Sequence, residues 1–169
     1  METDAIVTIT EKKDELFLRK KTVPFDFTKH SPKDIQNLVT RMRRMMKAAN
    51  GIGLSANQIG LTMRVFVAQV PDMNGKQKFY AIFNPTLTKL SSDMETVEEG
   101  CLSVPATYGR VTRHAKLLLT GFDRHHRSIK IKAWGLLARV FQHEVDHLDG
   151  KLFIDRTKDI TRQNSNHVT

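Results

Sequence analysis

The stretch that decides this chain is Gln142 to Gly150, QHEVDHLDG. Residues four apart share one face of a helix, so the imidazoles of His143 and His147 can reach a single ion. Glu144 then stands about 100° round the helix from His143, beside the ion without binding it. That is the place for a general base acting on water. Upstream, Leu136, Leu137, Val140 and Phe141 keep the three-and-four spacing of a buried helix face. Gly150 sits where a helix end takes a left-handed residue. The spacing predicts a helix from about Ala133 to Leu148.

An ion that works on a substrate needs a third protein ligand and an open position. The metzincin continuation HExxHxxGxxH fails here, because Phe153 occupies the last ligand position. A thermolysin-like site needs a downstream glutamate, and none follows Glu144. Upstream, EEGCLSVP (98–105) holds the only cysteine, Cys101, which cannot form an internal disulfide. A lone cysteine is ordinarily a small buried hydrophobe. Its thiolate would also complete a two-imidazole set and leave a fourth position for water. The glycine-containing loop GIGLSANQIG (51–60) carries Gln58, a donor that could face a substrate oxygen.

Around these segments the pattern is helix, then strands, then helix. Ser31, Pro32 and Asp34 form a helix start, and Ile35, Leu38, Val39, Met42, Met45 and Met46 continue at helical spacing to Asn50-Gly51. Runs 64–70 and 78–83 flank the turn PDMNGK and predict a hairpin. Runs 111–122 and 127–133 predict a second pair, with IKIK alternating in the two-residue strand period. The fold expected is α+β, with antiparallel or mixed strands packed around a central metal-binding helix and an N-terminal helix besides.

The chain has 169 residues, the size of one domain, and a formal charge of +9. One domain is expected over 1–169, with a short polar tail from about 157. No run reaches signal-peptide or membrane-span character, so a cytoplasmic protein is expected, with no membrane partner. The basic excess favours anionic partners, RNA included. No aromatic-rich basic motif of the RNA-recognition kind is present, and DNA is not an expected partner.

Taken in order, Gly51-Ile-Gly53-Leu-Ser55-Ala-Asn-Gln58, Glu99-Gly-Cys101-Leu-Ser103 and Gln142-His-Glu-Val-Asp-His-Leu-Asp-Gly150 resemble the three signatures of the peptide deformylase family, GxGxAAxQ, EGCLS and QHExDHLxG. LRKKTV (18–23) and KLFID (151–155) resemble flanking family segments, so the likeness covers roughly residues 5 to 157. Ser55 departs from the family alanine, and a hydroxyl of similar size is expected to be tolerated.

The resemblance implies one divalent ion held by Cys101, His143 and His147. Ferrous iron is the native ion expected, and zinc, nickel or cobalt are acceptable to the same donors. The reaction implied removes the formyl group from the N-terminal formyl-methionine of new polypeptides and releases formate. Glu144 would be the base, with the Gln58 amide and the Leu102 N–H as oxyanion donors. Gly53 and Leu102 would cramp the formyl site. Leu136, Val140 and the stem of Arg139 would line a methionine pocket, the Arg139 head reaching solvent. Glu99 and Asp146 would support the ligands, with Arg113 a partner for Glu99. His30, His114, His125, His126 and His167 match no signature.

Many family members carry a long C-terminal helix for ribosome docking. Only a short polar run follows Asp155 here, so any ribosome contact is expected through the basic body surface. Two rivals fit less well. A structural site would close with four protein ligands and leave Glu144 without a role, and an endopeptidase lacks its third ligand.

Overall fold

The computed structural model describes residues 5–163. Helix α1 spans Lys12–Leu18, α2 spans Pro32–Ala48 and α3 spans Gly135–Leu148. The strands are β1 (Gly53–Ser55), β2 (Val65–Pro71), β3 (Gln77–Thr88), β4 (Met94–Cys101), β5 (Val104–His114), β6 (Lys116–Phe122), β7 (Ser128–Trp134) and β8 (Ile160–Arg162). A five-stranded antiparallel sheet runs β1-β2-β3-β6-β7, and a three-stranded one runs β4-β5-β8. The α+β expectation with a central HExxH helix holds. No helix among the described residues is long and apolar enough to cross a membrane.

Strand β2 explains how the layers stack. Val65, Phe66, Val67 and Ala68 are all fully buried, although adjacent strand residues face opposite sides. Val65 and Val67 pack with Ile35, Val39, Met42 and Met46 of α2. Phe66, Ala68 and Val70 pack with Ala138, Phe141, Val145 and Leu148 of α3. One strand is thus covered by a helix on each side, and its sequence reads as a continuous apolar run for that reason. The start of α2 forms as its residues predict: the Ser31 hydroxyl accepts from the Asp34 N–H (3.2 Å) and Asp34 accepts from the Ser31 N–H (3.1 Å).

Several expected boundaries move. The run 111–122 is not one strand. It breaks at Ala115, with β5 pairing in the small sheet and β6 in the large one, while the Ala115 N–H donates to Asp93. Ala133 and Trp134 belong to β7, and Gly135, at φ +55°, turns the sheet edge into α3. Helix α1 went unanticipated; it buries only Leu18 and has no capping side chain to mark its start. Part of the expected polar tail is strand β8, which pairs with Thr107–Gly109 of β5. Residues 164–169, including His167, lie outside the described residues.

Gly150 closes α3 against the N-terminal segment. Its φ is +73°, and a Cβ there would stand 2.2 Å from the Arg19 carbonyl oxygen. The Thr22 N–H donates to the Leu148 carbonyl at 2.9 Å, so the end of α3 is pinned by residues 19–22. Gly75, in the β2–β3 turn, has φ +76° but open space around it. Gly75→Ala should therefore cost only the left-handed strain, about 1–2 kcal/mol, whereas Gly150→Ala adds a backbone overlap and should cost clearly more. Urea unfolding of both variants measures this; equal losses would show that the close approach carries no energy.

Candidate metal centre and catalytic cleft

Three segments distant in sequence meet at one cleft of about 530 Å³. The first is β1 and the one-turn helix after it, the second is the β4–β5 turn, and the third is α3. Cys101 ends β4 at an irregularity in the ladder, where the register shifts between Gly100 and Cys101. That shift turns the thiol toward α3. Cys101 Sγ lies 3.1 Å from His147 Nε2, and the two Nε2 atoms are 3.2 Å apart. The donor atoms of Cys101, His143 and His147 all fall within 4.8 Å of one another.

The thiol and the imidazole of this cluster shift each other's protonation. His143 Nδ1 faces Glu99 Oε2 at 3.0 Å, which holds a proton on Nδ1 and turns Nε2 toward the cluster. Burial raises the Cys101 thiol, yet His147 and His143 outweigh it and bring it well below the ordinary thiol range. Burial lowers His143, and Cys101 with Glu99 reverse that, pushing it up to about 10, so an ion bound at Nε2 would take the place of a proton there. Sulfur therefore stands as thiolate, the form that ligates a metal. One thiolate and two imidazoles suit a late first-row divalent ion. The side of the cluster formed by Cys101 and His143 opens on the cleft.

Glu99 is the hub behind the ligands. Arg113 donates to it twice, at 2.6 and 2.9 Å, and Arg139 Nη1 donates at 2.6 Å. Burial raises this carboxyl, but His143 and Arg113 win and hold it well below the usual range. Arg113 also donates to Asp146 at 2.7 Å, and Arg156 completes that carboxylate from the solvent side. Burial raises Asp146, and Arg156 and Arg113 lower it further than burial lifts it.

Glu144 is buried in the cleft wall, and burial raises its carboxyl above the ordinary value. Its position depends on Gly53, where a Cβ would lie 2.2 Å from Glu144 Oε1. The Ser55 hydroxyl lies 2.7 Å from Glu144 Oε2, so the residue that departs from the family alanine contacts this carboxyl directly. Gln58 is held by the Ser55 N–H donating to its Oε1 at 2.8 Å. Its amide nitrogen donates to Ser103 at 3.1 Å and lies 3.8 Å from Cys101 Sγ. Leu102 lines the same cleft.

Leu136 lies half-exposed in the cleft lining, with Val140 and Arg139 also in its wall. The Arg139 head does not reach solvent. It turns inward to Glu99 and to the Val111 and Glu95 carbonyls, because a guanidinium there satisfies three buried acceptors at once. His30 stacks on Phe25, His126 on Phe27, and His114 Nδ1 faces the Ser91 carbonyl, all away from the cluster.

Other residues at the site escaped the sequence reading. Asn57 donates to the His147 carbonyl at 2.6 Å. The N-terminal strap holds both donor loops, the Val7 N–H on the Gln58 carbonyl (2.8 Å) and the Ile9 N–H on Ser103 (2.9 Å). Arg156 follows a recognised segment, but no local signal marks it as a partner of Asp146.

Residues 4–163 match the family model described as polypeptide deformylase. A peptide deformylase of Natranaerobius thermophilus is 41% identical over 133 residues, covering 79% of this chain and 83% of that protein. One from Thermodesulfovibrio yellowstonii is 36% identical over 159 residues, 94% of this chain and 93% of that protein. The Met-Ala-Ser-bound class I type b peptide deformylase of Acinetobacter baumannii superposes with a TM-score of 0.82 at 28% identity, covering 93% of this chain and all of that one. A cleft with this donor cluster, in a fold shared over nearly the whole chain with such relatives, means that the chain belongs to the polypeptide deformylase family of hydrolases.

Proposed function

We propose that this enzyme removes the formyl group from the N-terminal formyl-methionine of newly made polypeptides in the cytoplasm and releases formate. The observation that carries the reading is the arrangement of one buried carboxylate, Glu144, and one fixed amide donor, Gln58, around the Cys101–His143–His147 cluster in a single cleft. Those three residues would hold one divalent ion, ferrous iron by preference, with zinc, nickel or cobalt as substitutes. Once bound, the ion supplies a Lewis acid and lowers the pKa of water enough for attack near neutral pH.

The chain's own groups do the rest. Glu144 takes a proton from the attacking water and hands it to the departing amine; its raised carboxyl matches both halves of that task. The Gln58 amide and the Leu102 N–H donate to the oxygen as negative charge develops on it. Gln58 needs no reorganisation, since Ser55 and Ser103 already fix both ends of its amide.

Selectivity for formyl is steric. Gly53 contributes no Cβ and Glu144 stands where one would be; a site cramped between the ion, Gly53 and Leu102 would admit a formyl hydrogen and exclude an acetyl methyl. The methionine side chain would lie against Val140, Leu136 and the stem of Arg139, and the Acinetobacter enzyme's Met-Ala-Ser begins with that residue. Glu99, Arg113 and Asp146 keep the ligands oriented. Ribosome contact, where it occurs, would use the basic body surface.

Formate release from a formyl-Met tripeptide by metal-loaded protein tests the chemistry. Wild type should turn over, Glu144→Ala should be crippled with its metal retained, and Gln58→Ala should lose roughly a hundred- to thousandfold. Near-normal turnover by metal-loaded Glu144→Ala would reassign the base. Comparing formyl-Met with formyl-Gly peptides checks the pocket; equal kcat/KM would remove it. Glu99→Gln should weaken metal affinity about 10- to 100-fold, read by competition with a chromogenic chelator. An unchanged affinity would reduce Glu99 to a structural ion-pair partner.

A further inference from the structure

The face of the large sheet that carries α2 is only partly covered. Helix α2 and the aromatic side chains of Phe25 and Phe27 pack over Val65, Val67, Phe83 and Phe122. Beyond Phe122 the same face continues without a cover. Its register places Lys116 opposite Trp134, Leu118 opposite Lys132 and Thr120 opposite Lys130, with Thr88 and Thr86 alongside on β3. Lys116, Lys130, Lys132 and Lys89 are exposed, and Trp134 is 54% exposed. A shallow depression of about 340 Å³ lies between Trp134, Leu118 and three of these lysines, Lys89, Lys116 and Lys132. No acidic side chain shares this set, and among the described residues none of the four lysines forms an ion pair. At the turn of the β6–β7 hairpin, Arg124 borders a second basic depression with Arg43 and Lys47.

A large aromatic ring left half in water among unneutralised cations needs a partner that is anionic and flat. We propose that this sheet face binds single-stranded RNA, with a base stacked on Trp134 and successive phosphates on Lys116, Lys132, Lys130 and Lys89. Stacking on an aromatic platform with a cationic track for the backbone is how single strands are held without sequence preference. Lys130 and Lys132, two apart on one strand, are about 6.6–6.8 Å apart, and Lys116 lies diagonally from Lys132 on the neighbouring strand, so the face offers charge at short intervals along an extended chain.

Other occupants fit less well. A protein partner is disfavoured because lysine is depleted from protein interfaces. A bilayer needs more buried apolar area than one tryptophan and a half-buried Leu118 supply. Ribose is favoured over deoxyribose by the threonines. Thr88 donates to the Leu118 carbonyl (3.3 Å) and Thr120 to that of Thr86 (3.5 Å). Their protons are thereby engaged and their lone pairs remain to accept from a 2′-hydroxyl.

Trp134 is the chain's only tryptophan, so its emission reports the site directly. Titrating a short oligouridylate into the full chain at low salt should quench that emission. The log–log salt slope should be about −3, from about −0.7 per phosphate neutralised by the four lysines. By anisotropy of labelled RNA, Lys116→Glu/Lys132→Glu should bind at least about tenfold more weakly, and Trp134→Ala roughly five- to hundredfold more weakly. Both variants should hydrolyse formyl-Met peptide as wild type does, which shows that they are folded; this binding stands or falls apart from the deformylase chemistry. The proposal is overturned by absence of binding at low salt, by undiminished binding of the lysine double variant, or by equal affinity for the matching deoxyoligonucleotide. It is also overturned if phosphatidylserine vesicles shift the emission while RNA does not.

Discussion

The carboxylate of Glu99 is the constraint on which the rest of the centre depends. It lies almost wholly buried on β4 and accepts from Arg113 of β5, Arg139 of α3 and His143 of the same helix. A buried carboxylate without partners would be costly by several kcal/mol. With two guanidiniums and an imidazole around it, the same charge ties the small sheet to the ligand helix. It also holds a proton on Nδ1 of His143 and so turns Nε2 toward the cluster. Stability and the orientation of His143 are here one interaction, because the carboxylate that neutralises the arginines also orients the imidazole.

The cleft is shaped from the opposite side by what is missing. Gly53 leaves the space that Glu144 Oε1 fills, so this carboxylate can stand against β1 where a side chain would push it away. Ser55, at the end of β1, then makes two contacts, its N–H on Gln58 and its hydroxyl on Glu144. The amide and the carboxylate to which the proposed function assigns the donor and base roles are thus set by one residue. Such fixing removes the reorganisation that a flexible amide would require as charge builds.

Charge is segregated over the molecule. The carboxylates around the Cys101–His143–His147 cluster, Glu99, Asp146 and Glu144, are buried, the first two locked to arginines and the third raised by burial. The uncovered sheet face carries lysines with no acid among them. The net charge of +9 is therefore not an even coat. It leaves one flat face able to attract a polyanion through long-range steering.

By itself the sequence determined the ligand helix, the glycine-framed loop and the β2–β3 hairpin, because helical spacing, turn residues and β-branched runs are local signals. Its motifs also named the residues that gather at the cleft. Tertiary structure alone decided the break at Ala115, where one apolar run is shared between two sheets whose partners lie far along the chain. It turned the Arg139 head inward, since only the fold brings Glu99, Val111 and Glu95 to it. It gave Ser55 a hydrogen bond to the Glu144 carboxyl, 89 positions away. It also assembled Trp134 with lysines from three strand segments into a face that no linear motif contains. Spacing along a chain reports what neighbours share, whereas sidedness and charge pairing across sheets are fixed by register, which only the closed structure sets.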